Sequence, residues 1–160
     1  MNNILNFFIV ILLCSFGVNA NDNMLIHGTL IAPPCYISNN NVIEVPFGTN
    51  LAIKKIDGQN FMAPVEYQIN CDEGYKSGSI AIVIETANPA VFDSSAINTD
   101  KNGLGIKILV NNQPVVFGQR IAVNDISSPP KVEAVPVKDP AATLSEGAFE
   151  ATVMLRTDYL

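Results

Sequence analysis

The dominant pattern along this chain is alternation: apolar side chains recur at every second position through segment after segment, and no stretch sustains the apolar stripe of an amphipathic helix. A chain patterned this way folds as pleated sheet. The clearest run is the last one. Phe149, Ala151, Val153, Leu155, Thr157 and Tyr159 fall on one face and Glu150, Thr152, Met154, Arg156 and Asp158 on the other, starting after Gly147 and running to the C-terminus. Val65, Tyr67 and Ile69 alternate with Glu66, Gln68 and Asn70 up to Cys71, which predicts a strand with one wet face. Residues 79–86 (SIAIVIET) form an almost continuous β-branched run, as expected of a central strand buried on both faces. Ile106, Ile108 and Val110 alternate up to the turn signal Asn111-Asn112, and residues 114–117 then return as the second arm of a hairpin. Residues 132–137 contain Pro136 and follow Ser127-Ser128-Pro129-Pro130, so they predict an edge strand or a loop-rich connection. Clusters of Asn, Asp, Gly and Pro at 38–41, 57–60, 72–78, 98–105 and 124–130 punctuate the strands at irregular intervals. One all-β sandwich, not a repeat array, is the simplest architecture.

The first twenty residues stand apart from this pattern. Residues 4–18 are almost all apolar and end in Val18-Asn19-Ala20, a small-residue site of the kind signal peptidase cuts, so residues 1–20 are expected to be a cleaved leader. The apolar run is shorter than the ~20 residues a membrane span needs. It is followed by polar Asn21-Asp22-Asn23 without a stop-transfer pattern, which disfavours a membrane anchor and insertion of the mature chain. The leader has no Lys or Arg ahead of its apolar run, a departure from the usual design. Its removal takes Cys14 away and leaves Cys35 and Cys71 as the thiols of an exported protein, for which one disulfide is the expectation. Two free or metal-bound thiols are the alternative. With His27 as the only imidazole and no Cys-x-x-Cys, a closed zinc site lacks ligands.

Charge and residue inventory narrow the function. Fifteen acidic against nine basic side chains give a net charge of −6, which excludes a polyphosphate partner held by charge and places nucleic acid outside the expected partners. Catalysis needs a base, a nucleophile or a metal, and the chain offers few. His27 lies near the N-terminus, and there is no Gly-x-Ser-x-Gly, phosphate loop or His-Glu-x-x-His. Asp72-Glu73 sit with Tyr75 and Lys76 in a Gly-containing loop and read as a solvated turn. Gly103-x-Gly105 lacks a third Gly and precedes a strand, so it also reads as a turn signal. No catalytic residue, metal or cofactor is expected.

Residues 21–34 fit a closed sandwich poorly. They end in Pro33-Pro34, yet Met24, Ile26, Gly28, Leu30 and Ala32 alternate in strand phase. As a first strand of the sheet they would put His27, Thr29 and Ile31 outward, but a Gly in the middle of the apolar face weakens a strand unless another backbone or a bulky group comes close.

The segments MLIHGTLIAPPC, IEVPFG, VEYQINC, NGLGIKILVNNQPV and GAFEATVMLRTDYL, in that order and with penultimate Tyr159, resemble the pilin subunits of chaperone–usher fimbriae. The likeness is strongest to the minor tip-fibrillum subunits of P-pilus-like organelles and covers essentially all of residues 21–160. It implies an incomplete immunoglobulin-like β-sandwich (residues 35–160) that lacks its final strand and is completed by a donor strand. It also implies passage through the periplasm to a surface fimbrium, with a periplasmic chaperone, an outer-membrane usher and neighbouring pilin or adhesin subunits as partners. Residues 21–34 would then be a donor extension whose Met24, Ile26, Gly28 and Leu30 insert into the neighbouring subunit. Gly28 would let the donor backbone approach a bulky groove floor. Gly147, Phe149, Ala151, Val153, Leu155 and Tyr159 would form the groove wall and chaperone contact, with the Leu160 carboxylate anchored by basic residues of the chaperone. Two other readings are an exported, self-complete β-sandwich binding module and a direct receptor-binding adhesin. For the second, residues 21–160 leave no room for a lectin domain, and Tyr36, Tyr67, Tyr75 and Tyr159 are scattered with no Trp beside them.

Overall fold

A computed structural model describes residues 24–30, 35–73, 75 and 78–160, and divides the chain into two units, one up to residue 31 and one from residue 32 onward. The expectations for residues 1–20, and for 21–23 and 31–34 of the extension, lie outside the described residues. The second unit is all-β. Its strands, all paired antiparallel, are β1 (Cys35–Ile37), β2 (Ala63–Pro64), β3 (Ile69–Cys71), β4 (Ile80–Glu85), β5 (Ala96–Asn98), β6 (Leu104–Val110), β7 (Gln113–Pro114), β8 (Ile121–Ala122), β9 (Val132–Lys138) and β10 (Met154–Tyr159). They form a pair β1-β3, a three-stranded sheet β10-β4-β8 and a five-stranded sheet β2-β9-β6-β5 in which β7 also pairs with β6. Short 3₁₀ turns at Ser38–Asn40 and Ile53–Lys55 are the helical content among the described residues, and no helix there is long and apolar enough to cross a membrane.

The core lies between the inner faces of the sheets. Ile80, Ile82 and Ile84 of β4 pack in one cluster with Ile106, Ile108 and Val110 of β6, Val132 and Ala134 of β9, and Cys35, Ile37 and Ile69 of the β1-β3 pair. Each fully buried Ile here is worth roughly 1.5–3 kcal/mol. As its unbroken apolar run requires, β4 is the middle strand of its sheet, with Ile80 to Val83 all at or below 1% exposure. The β6–β7 hairpin turns at Asn111 and Asn112, both with left-handed backbone (φ 50° and 65°), the geometry that a two-residue hairpin turn matching strand twist demands. Cys35 and Cys71 stand opposite each other in the β1–β3 register and are joined by a disulfide.

Three expectations need correction. Residues 65–71 are not one strand: Val65 extends the pairing of β2 with β9 by donating its N–H to the Val132 carbonyl, while Ile69–Cys71 pair with β1. The alternation is continuous because Val65, Tyr67 and Ile69 face the same core, but the ladder partner changes from one sheet to the other midway. Residues 132–138 are neither an edge nor a loop; β9 is a buried strand between β2 and β6. Pro136 is tolerated because its carbonyl, and therefore its nitrogen, faces the β2 side, where β2 has already ended and Gly58 donates to the Pro136 carbonyl at 3.1 Å. Finally, the C-terminal strand is shorter than the alternation from Gly147 predicts. β10 begins at Met154, and residues 148–153 form no ladder. They are tied instead to the β5–β6 turn, where the Asp100 N–H donates to the Glu150 carbonyl and the Glu150 N–H donates to Asp100 Oδ1.

Candidate functional site

One edge of the sandwich runs along β10. Among the described residues β4 is the neighbour of β10 on one side, and no strand pairs with its other edge. Facing the same core is the segment 42–47, which forms no ladder with any described residue. It alternates all the same: Ile43, Val45 and Phe47 are partly buried against the core, while Val42, Glu44 and Pro46 are exposed. Three consecutive left-handed residues, Ser38, Asn39 and Asn40 (φ 44°, 55° and 62°), swing the chain out of β1 into this segment. Phe149, Val153 and Leu155 are likewise partly buried apolar groups on that core. The two unladdered lips approach at Phe47 and Phe149, whose ring centroids are 5.9 Å apart. Further along β10, the Thr157 hydroxyl donates to the Cys35 carbonyl of β1. Between these two ties lie an apolar floor and two runs of backbone that lack a ladder, which is the chemistry of a strand acceptor.

Polar groups fix the frame of this edge. On the outer face, Arg156 of β10 forms a bidentate pair with Glu85 of β4 (Nη2–Oε1 2.7 Å, Nε–Oε2 3.2 Å). The Arg156 guanidinium holds the Glu85 carboxyl below its ordinary value. Asp158 accepts from Arg156 at 3.2 Å and from Arg120 at 2.9 Å through the same oxygen. Desolvation pushes the Asp158 carboxyl up, but hydrogen bonds from Arg156 and from the Tyr159 amide outweigh it and leave the group below the usual carboxylate range. Lys101 donates to the Glu146 carbonyl at 3.0 Å beside Gly147, whose φ of +126° and nearness to Lys101 suit a residue without a side chain.

The residues singled out from sequence divide unequally. Phe149, Val153, Leu155 and Tyr159 are half-buried, the first three on the core cluster. Gly147, Ala151 and Leu160 are exposed. In the first unit, Met24, Ile26 and Leu30 are exposed to 82%, 84% and 101%, in no regular secondary structure, and a methyl group on Gly28 would meet nothing described within 4 Å. Ile43, Val45 and Phe47 form the second lip, to which the sequence motif IEVPFG assigned no role; its I-x-V-x-F alternation was the signal. Gly103 lies in a turn with φ +77°, but Gly105 is inside β6, so the pair is not simply a turn signal. Among the described residues no group of three or more His, Cys, Asp or Glu side chains could hold a metal ion. Two clefts on the surface are shallow and polar, about 360 Å³ beside Ser38, Glu66 and Gln68 and about 340 Å³ beside Asn111, Asn124 and Lys131.

An immunoglobulin-like sandwich with an open edge strand is the form of a pilus subunit, and comparison with known proteins agrees. Residues 24–160 match the family described as fimbrial protein. The chain is 36% identical over 144 residues to the uncharacterized fimbrial-like protein YfcQ of Escherichia coli K12, covering 88% of each chain. It is 26% identical to the fimbrial adapter PapF of Escherichia coli over 97% of this chain and 98% of that one. Its fold is similar to that of the P pilus adaptor subunit PapF, with a TM-score of 0.58 at 20% identity, covering 81% of this chain and 98% of that one. The chain belongs to the fimbrial protein family and is a structural subunit that associates with other pilins in a surface fibre.

Proposed function

We propose that this subunit is a minor or adaptor pilin assembled by donor-strand exchange, and that it serves adhesion through the fibre with no catalytic step of its own. The observation that carries the proposal is the pair of unladdered lips, 42–47 and 148–153, over a partly exposed apolar floor. A strand laid between them gives both lips a hydrogen-bonding partner and covers Ile43, Val45, Val153 and Leu155 in one step. In this reading residues 1–20 are a cleaved leader and residues 21–34 the donor extension. A periplasmic chaperone first supplies the missing strand, and at an outer-membrane usher the extension of another subunit replaces it. Met24, Ile26 and Leu30, spaced by two and left in water by the first unit, suit insertion into a groove. Nothing described around Gly28 in its own chain asks for a glycine, which supports a demand placed by the acceptor's groove floor. Phe149, Val153, Leu155 and Tyr159 serve as this subunit's own groove wall. Gly147 and Ala151 flank that wall, and the Leu160 carboxylate meets basic groups of the chaperone.

The test is Gly28→Arg. The variant is expected to bind the chaperone like the parent through its intact groove and to fail to add to the preceding subunit, as read by co-purification and by formation of subunit pairs at the usher. Equal loss of chaperone binding and of addition contradicts the assignment.

A further inference from the structure

Four side chains form a continuous chain of charge across the outer face of the three-stranded sheet: Glu85, Arg156, Asp158 and Arg120. The order follows from the ladder. Glu85 ends β4, Arg156 and Asp158 point outward from β10, and Arg120 precedes β8 on the far side of β4. Register places Arg156 opposite Val83, and Arg120 lies one residue beyond the Ile82–Ile121 pair that begins the β4–β8 ladder, so the two arginines flank Val83 in one row. Val83 is only 1% exposed although its neighbours Ile82 and Ile84 face the core, as befits a residue covered by arginine stems. Asp158 Oδ2 joins the two arginines, accepting from Arg120 Nε at 3.1 Å and Nη2 at 2.9 Å and from Arg156 Nη1 at 3.2 Å. The bidentate Arg156–Glu85 pair closes the other end.

An edge strand needs such a device when its second ladder is missing. Among the described residues β10 is hydrogen-bonded through its backbone to β4 alone, and its outermost residues are only half-buried. We propose that this four-residue strap holds β10 in register on β4 while the groove is empty, and that it becomes dispensable once a donor strand occupies the other edge. The inference rests on the strand-accepting reading above. Arg156 and Asp158 act as positioning residues: they touch no donor, being on the opposite face of β10 from the groove wall.

The experiment is amide hydrogen exchange of the β10 backbone in two forms of the exported chain. One is the bare chain, and the other carries, after Leu160, a flexible linker and a second copy of the segment MLIHGTL as donor. Asp158→Asn is expected to accelerate β10 exchange about tenfold or more in the bare chain and less than twofold in the completed one. Arg120→Gln, which removes one arm of the strap from an exposed position, is expected to give a smaller acceleration in the same direction and in the bare chain alone. Equal acceleration in both forms, or none in the bare chain, overturns the strap. The unsubstituted pair reads the groove separately: if the appended donor leaves β10 exchange unchanged, the strand-accepting reading falls, and the strap's dispensability falls with it.

Discussion

Gly105 lies inside β6, and a methyl group placed on it would come within 2.9 Å of the Phe92 ring and 3.1 Å of the Ile97 carbonyl oxygen. Phe92 closes a small second cluster with Ala90, Ala96 and Val137, so the glycine exists to seat a ring. Gly105→Ala is therefore expected to cost about 1–3 kcal/mol by overpacking, measured as a lower denaturant midpoint at unchanged slope. An unchanged midpoint would show that Phe92 moves aside freely. Sequence read both glycines as a turn signal and could not separate Gly105 from Gly103, because the Phe92 contact that needs Gly105 comes from a loop more than ten residues away. Pro136 misled for a related reason. Proline removes a donor from one side of a strand only, and which side has a neighbour at that point is decided by where β2 stops. The alternation of Ile43, Val45 and Phe47 is present in the sequence, but their role as the second lip was not read from it, since sequence shows a strand's pattern and not its partner.

At the level of elements, the apolar run of β4 and the Asn-Asn turn were legible, because burial on both faces and left-handed turn geometry are local demands, but the hairpin's second arm is β7, Gln113–Pro114, and not the expected residues 114–117. The start of β10 was not, because the alternation from Phe149 persists through residues that bond to the Asp100 turn and form no ladder. The charge strap on the last strand was hidden as well, since Glu85 and Arg156 are far apart in sequence. It has a pH signature whose sign is fixed. Glu85 and Asp158 have carboxyls held below their ordinary values, by Arg156 foremost for Glu85 and against desolvation for Asp158. Such groups stabilise the fold fully at pH above the unfolded value near 4, and the contribution is lost as pH falls through the lower folded value. The melting temperature of the donor-free chain is expected to stay level from neutrality to about pH 5 and to fall below about pH 4. Asp158→Asn should make that acid fall shallower than in the parent. Identical slopes for parent and variant would remove Asp158 from the account.

For the whole molecule, the disulfide joins residues 36 apart in sequence at the β1–β3 pair, next to the Thr157 tie on β10. Its loss through Cys35→Ser with Cys71→Ser is expected to cost about 3–4 kcal/mol in the chain-entropy description, read as a lower denaturant midpoint of the donor-completed chain. A loss well under 1 kcal/mol would mean that the pair orders itself without the crosslink. The all-β class, the disulfide partners and the resemblance to pilins were all legible in the residues alone, because each is carried by periodicity, residue count or motif order. The open edge itself was readable only through that resemblance. A missing strand leaves no residue of its own to read, and it becomes visible when β10 and segment 42–47 stand on one core with no ladder between them. The direct measurement is thermal unfolding of residues 21–160, oxidised, with and without a linker and a pilin donor strand after Leu160. The donor-completed chain is expected to be monomeric and to unfold cooperatively at a markedly higher temperature than the bare chain, which melts lower and aggregates more readily. A bare chain that unfolds as cooperatively and at the same temperature would show a finished sandwich and contradict this expectation.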